Sequence, residues 1–152
     1  MTLAERVADY EAATAELLAV ANVADALLDR PVDDGWTARQ VLHHLADSET
    51  TSYLRLRRLL AEPGSTIQGY DQEAWAACAE LGYSELGVAH ALAVVAAVRA
   101  ASHDVLARLS DDDLARSGTH SESGAYTLDD WLTIYTAHPR EHRAQLLAAT
   151  GA

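Results

Sequence analysis

"TIYTAHPREHRAQL", Thr133 to Leu146, places His138 and His142 four residues apart in a stretch that otherwise reads as amphipathic helix. At roughly 100° per residue, positions three, four and seven apart share a face. The apolar stripe of this segment is Trp131, Ile134, Tyr135, Leu146 and Ala149, and both histidines fall inside it. Thr127 with Asp130 three residues on has capping-box spacing, so the helix is expected to start at Thr127 and end near Ala149. Pro139 lies between the histidines. It cannot donate to the Tyr135 carbonyl and crowds that turn, which predicts a bend there.

Working outward, the rest of the chain also reads as helix. A first helix is expected from Leu3 to Leu28, rich in Ala, Leu and Glu and closed by Arg30-Pro31, with a turn at Asp33-Asp34-Gly35. Thr37 and Gln40 repeat the capping-box spacing and open a second helix that runs to about Ala61, where Glu62-Pro63-Gly64-Ser65 breaks it. Residues 62 to 83 form the longest connection, with a short helix from Asp71 to Ala79 carrying Trp75. Ser84 is placed to cap a third helix ending near Leu109, and the polar stretch Ser117 to Tyr126 leads into the fourth. No strand-like alternation, repeat or low-complexity segment is read anywhere. Four long amphipathic helices with two longer connections predict one all-α domain over residues 1–152, a four-helix bundle.

Composition narrows the function. The net charge of −12 argues against a nucleic-acid partner, since phosphate binding needs clustered cations. The apolar run Val88 to Val98 is interrupted by His90 and stopped by Arg99, which reads as too short and too polar for a membrane span. No cationic leader opens the chain, so the expected location is the cytoplasm. One cysteine, Cys78, fits a reducing compartment and excludes a cysteine-based metal cluster.

Helical geometry sorts the seven histidines. The second helix has the stripe Val41, Leu45, Ser48, Ser52, Leu56 and Leu59, with His44 along its edge and His43 on roughly the opposite side. His90 faces away from the Leu92, Val95, Leu106 stripe of the third helix, His103 flanks it, and His120 is assigned to a loop. His44, His138 and His142 are therefore the inward set. Two histidines four apart on one helix suit chelation of a single ion, and a third from a facing helix leaves positions open for water or substrate. The competing reading is three core histidines satisfied by Ser48, Tyr135, Gln145 and trapped water.

"GWTARQVLHHLADSE", followed in order by "TIQGYDQEAWA" and "YTAHPREHRAQL", resembles the DinB/YfiT family of helical-bundle metalloproteins, in particular its YfiT-like metal-dependent hydrolases. The resemblance covers nearly the whole chain. It implies one divalent ion, zinc or nickel, on His44, His138 and His142, the same three that helical geometry selects. Pro139 stands where family members commonly carry glycine or another small residue. The resemblance further implies either transfer of a low-molecular-weight thiol, such as bacillithiol or mycothiol, to a small electrophile, or hydrolysis of a small molecule. A metal-binding, stress-related bundle without turnover is the third class. The expected partner is a small-molecule substrate, with a homodimer left open, and no catalytic side chain is singled out. Asp47, Glu49 and the Arg55, Arg57, Arg58 cluster read as solvated helix surface, Arg99 as a snorkelling arginine, Trp75 as a packing anchor, and the Tyr70 to Trp75 segment as a cover for the open end.

Overall fold

A computed structural model describes residues 1–32 and 35–151. Four long helices form the bundle: α1 (Leu3–Ala21), α2 (Ala38–Ala61), α4 (Ala89–Leu106) and α5 (Leu128–Thr150), with a short α3 (Gln72–Ala77) in the long connection. The capping boxes form as their spacing predicts. Thr37 Oγ1 accepts from the Gln40 amide at 3.2 Å and Gln40 Oε1 accepts from the Thr37 amide at 2.9 Å. Thr127 and Asp130 repeat the exchange at 3.1 and 2.8 Å. Each cap satisfies amides that the first turn leaves without partners.

Two helices are shorter than their sequence suggests. α1 stops at Ala21, and the chain turns through Asn22 into a 3-10 turn at Asp25–Leu27. A continued helix would point Val23 some 200° away from Ala21, into solvent; the break instead buries Val23 and Leu28. α4 begins at Ala89 without a side-chain cap. Ser84 is not that cap, because it lies in a turn whose Glu85 and Leu86 amides bond to the Gly82 carbonyl, and its hydroxyl accepts from Gln40 at 3.3 Å. At the other end, Arg108 and Leu109 continue α4 through tightened turns onto Val105 and Leu106. Of the turn expected at residues 33–35, Asp33 and Asp34 lie outside the described residues.

The connections also contain strands. β1 (Thr66–Ile67) pairs in parallel with β2 (Ser117–His120), which pairs antiparallel with β3 (Gly124–Thr127), with Gly118 opposite Tyr126. Segments of two to four residues are too short to display the alternation by which strands are recognised. Two glycines are required. Gly124 turns the hairpin at φ +82°, and a Cβ on Gly118 would come within 2.6 Å of the Ser65 carbonyl oxygen, closing the approach of β1. The sheet turns Ile67, His120 and Tyr126 inward, and β3 runs straight into α5.

The bundle interior consists of two apolar clusters separated by a polar layer. One gathers Leu17, Val41, Leu42, Leu45, Val95 and Leu146; the other gathers Tyr10, Leu56, Leu59, Leu106, Trp131 and Tyr135 with the sheet's inner face. Between them lie Ser48, Glu49, Ser52, Arg99 and Ser102, all buried. Arg99 is therefore not a snorkelling residue, nor is Glu49 solvated. Arg99 NH1 donates to Glu49 Oε1 at 2.7 Å and to the Tyr135 carbonyl at 3.1 Å, Nε donates to Thr14 Oγ1 at 2.6 Å, and NH2 donates to the Tyr10 carbonyl at 3.2 Å. One side chain of α4 thus bonds to each of the other three bundle helices. The Tyr135 carbonyl is the acceptor that Pro139, with no N–H, cannot serve, and α5 stays helical through that position.

α4 is long and apolar enough, by length and composition alone, to cross a membrane, with mean hydropathy 1.2 over Ala89–Leu106. That is longer than the run the sequence suggests. Here it packs against α1 and α2 and carries the ion-paired Arg99 at its centre.

Burial raises the Glu49 pKa while the Arg99 guanidinium opposes that rise. Arg99→Met should consequently cost about 3–5 kcal/mol in urea unfolding, because it strands a buried carboxyl, and adding Glu49→Met should recover much of the loss. In a Pro139→Ala background, where the restored amide can take the Tyr135 carbonyl, the Arg99→Met cost should shrink by about 1 kcal/mol. Equal costs in the two backgrounds would separate Arg99 from the proline.

Candidate metal centre

His44 comes from the middle of the first half of α2, and His138 and His142 from successive turns of α5. Their Nε2 atoms converge: His44 to His138 at 3.2 Å and His142 to His138 at 3.0 Å, with the ligand atoms of all three within 4.8 Å of one another. The rings stand 65–83° apart, so their edges rather than their faces meet. Imidazole ligands at about 2.0–2.1 Å from one ion are separated from each other by about 2.9–3.4 Å, depending on coordination number. The His44–His138 and His142–His138 contacts lie in that range, and the third pair, His44–His142, lies within 4.8 Å.

The protons on these rings decide what the cluster can hold. His142 Nδ1 lies 2.7 Å from Gln145 Oε1, so Nδ1 carries the proton and Nε2 presents its lone pair to His138. His138 Nε2 faces both neighbours, and a single N–H there could serve only one of them. A second proton is disfavoured. Burial, with the neighbouring His142, holds His44 down to about 4; burial, with His142, His44 and Arg99, holds His138 well below 6.5; and burial lowers His142 despite Gln145 and Glu141. Three neutral imidazoles aimed at one region, His44 buried and His138 and His142 half-buried, are a donor set that suits a divalent cation. His44 Nδ1 and His138 Nδ1 are buried without a hydrogen-bond partner among the described residues. Neither Ser48 nor Tyr135 bonds to the rings: the Tyr135 hydroxyl accepts from Arg55, and its ring lies 6.4 Å from that of His138.

The surroundings were only partly foreseeable. Trp36 stands edge-on to His44 at 5.1 Å between centroids, and its Nε1 donates to Glu73 Oε2 at 3.0 Å, tying α3 to the cluster. Nothing in periodicity marks Trp36, which precedes the helix. Glu49 and Arg99 did carry a signal: Glu49 is four residues after Leu45 and three before Ser52, and Arg99 is four after Val95 and seven before Leu106, all stripe positions. Ile134 is the reverse case. It is exposed, because it lies about 100° from the face shared by Tyr135, His138 and Leu146.

The other candidates are dispersed. His43 faces the Leu86 carbonyl at 3.2 Å on the far side of α2, His90 is exposed, and His103 pairs with Glu11. His120 is on β2 rather than in a loop, and its Nδ1 accepts from the Glu122 amide. Asp47 accepts from the Tyr83 hydroxyl, Tyr70 packs on Trp75 at 4.5 Å, and Cys78 is a free thiol beside Glu80. Of the three arginines read as surface, Arg57 covers the Tyr53 ring and Arg58 is exposed, whereas Arg55 is half-buried.

Residues 9–146 match the sequence pattern of the DinB superfamily. A protein of Oceanobacillus iheyensis named "Putative metal-dependent hydrolase" is 36% identical over 112 residues, which are 74% of this chain and 63% of the relative. A Bacillus cereus protein of the same name matches at the same identity and coverage. The chain thus spans less than two-thirds of the length of these relatives. Among solved structures, YfiT from Bacillus subtilis superposes with a TM-score of 0.87 at 29% identity, covering 98% of this chain and 86% of that one; it is described as "a probable metal-dependent hydrolase with an unusual four-helix bundle topology".

Two outcomes follow from this geometry. His44→Ala should reduce the content of tightly bound zinc or nickel to background, whereas His43→Ala, on the other side of the same helix, should leave it unchanged; equal loss from both would reject the convergent arrangement. For the metal-stripped protein, an unfolded histidine takes a proton near pH 6.5 while folded His44 does so near 4. The unfolded chain therefore binds more protons in that window, and folding stability should decline as pH falls from 6.5 toward 4. His44→Leu should flatten that decline in urea midpoints measured at pH 7, 6 and 5.

Proposed function

As this chain belongs to the DinB superfamily, we propose that it is a metal-dependent enzyme that transfers a low-molecular-weight thiol to a small electrophile, with one zinc or nickel ion on His44, His138 and His142. The convergence of three neutral imidazole Nε2 atoms carries this reading. When bound, an ion on three histidines supplies a Lewis acid with open positions, at which a thiol is favoured as thiolate.

The chain's own part is positioning. Gln145 fixes the tautomer of His142, and Trp36 backs His44. The Tyr70–Trp75 pair walls a cavity further along α2. The sulfur of the thiol attacks the electrophilic carbon, the leaving group departs with its electron pair, and the thiol proton passes to solvent. No protein nucleophile is required, which suits a chain whose single cysteine, Cys78, lies outside the histidine cluster. A reducing cytoplasm, where such thiols abound, is the setting proposed with it.

The names of the relatives favour a second reading, hydrolysis of a small molecule by water at the same position. The two differ in what is consumed. Zinc- or nickel-loaded protein incubated with bacillithiol or mycothiol and monochlorobimane should release chloride and form the fluorescent conjugate. Metal-stripped protein and a His138→Ala, His142→Ala double variant should fall to the uncatalysed rate. Conjugation that survives in both would sink the proposal, and ester hydrolysis without conjugation would favour the second reading.

A further inference from the structure

A cavity of about 440 Å³ runs along α2 beyond the histidine cluster, with Thr51, Leu54, Arg55, Ile67, Tyr70 and Trp75 in its wall. We propose that it binds an elongated organic acid, whose carboxylate pairs with Arg55 and whose apolar body lies against Leu54 and the Tyr70–Trp75 pair. The inference rests on the reading that the three-histidine end works on a small molecule, and it assigns that molecule's chemical class.

The charge of Arg55 is the first reason. Its NH1 donates to the Tyr135 hydroxyl at 3.1 Å and its NH2 to the Gln68 carbonyl at 2.9 Å, both neutral acceptors. Nε is buried with no partner, and no carboxylate forms an ion pair with the guanidinium among the described residues. Elsewhere Arg6 has Asp129, Arg39 has Asp29, Arg99 has Glu49, and Arg140 has Asp9 and Glu16. Arg57 and Arg143 are also half-buried without an ion pair among the described residues, but Arg57 lies over the Tyr53 ring and neither lines this cavity, so Arg55 is the half-buried arginine whose charge faces it without a counter-ion. Asp47, the carboxylate in the same wall, accepts from the Tyr83 hydroxyl and lies about 12 Å of helix rise from Arg55, too far to be its counter-ion. A guanidinium has five N–H donors, of which two are used here, leaving enough for a two-point contact with a carboxylate.

Placement is the second reason. His44, Thr51 and Arg55 are separated by seven and four residues, which brings all three within about 20° of one face of α2. Arg55 lies about 16 Å of helix rise from His44, and helical side chains lean back toward the N-terminus, the His44 end. Its partner Tyr135 precedes His138 by one turn of α5. The cavity volume is within the range of small-molecule sites. An acid held at Arg55 would therefore extend along the apolar wall toward the histidines, which calls for an elongated ligand rather than a compact one.

The test uses 4-phenylbutanoate and its neutral counterpart 4-phenylbutanamide, titrated into the whole chain, metal-stripped and zinc-loaded, and followed by amide NMR shifts and tryptophan fluorescence. The acid should bind the metal-stripped protein at least about tenfold more tightly than the amide, with shifts concentrated at Thr51, Gln68 and Trp75. Arg55→Met should erase that discrimination while leaving zinc content unchanged. Thr51→Trp, which fills the cavity and spares Arg55, should abolish binding of both probes and stands in should Arg55→Met fail to fold. Equal affinities for acid and amide, discrimination that survives Arg55→Met, or acid binding only in zinc-loaded protein would each overturn the assignment. Because binding is read without metal or turnover, failure of thiol transfer leaves this result intact, and the reverse also holds.

Discussion

A single guanidinium, closed off from water, ties α4 to the other three helices of this bundle. Burying an ion costs several kcal/mol, offset only when nearly every donor finds an acceptor. Arg99 meets that condition by drawing on α1 for the Tyr10 carbonyl and Thr14 hydroxyl, on α2 for Glu49, and on α5 for the Tyr135 carbonyl, with the Tyr10 ring 4.0 Å beneath its plane. Each contact has a length and a direction, so each helix is constrained along its axis as well as about it. Leucine contacts, which lack direction, could not do this. The proline in α5 belongs to the same arrangement, because the acceptor it leaves without a helical donor is one the arginine uses.

The dry interior that makes Arg99 dependent on Glu49 also keeps the histidines neutral. Burial is the leading reason that His44, His138 and His142 hold their protons so weakly, and the Arg99 charge adds to the effect at His138. A neutral imidazole is the form that offers a lone pair, so the polar layer and the histidine cluster are two results of one environment.

Much of this could be read from residues alone. The capping pairs at Thr37 and Thr127, the starts of α2 and α5, the bundle architecture and the separation of His44 from His43 all follow from local chemistry and 100° arithmetic, and the structure brings together the three histidines that arithmetic selects. What escaped depends on long-range partners. The end of α1 at Ala21 is set by the burial of Val23 and Leu28, and β1 exists only because β2 lies beside it. Trp36 reaches His44 from outside any periodic segment. Arg99 and Glu49 lay on the stripes, but residue type suggested surface, since a charged side chain is seldom inside without a partner and the partner is fifty positions away.

The separation of the apolar interior into two clusters has an evolutionary consequence. Substitutions among Leu17, Leu42, Leu45 and Leu146 adjust the packing on one side of the polar layer, and those among Leu56, Leu59, Leu106 and Trp131 adjust it on the other. Volume-conserving drift within one cluster is tolerated as long as its own packing is kept, and the ionic layer limits how far a disturbance travels. Descendants of this chain are thus free to remodel the sheet-covered end without disturbing the end that carries Leu45 and Leu146, and the reverse. Change in the layer itself would require Arg99 and Glu49, on two different helices, to alter together.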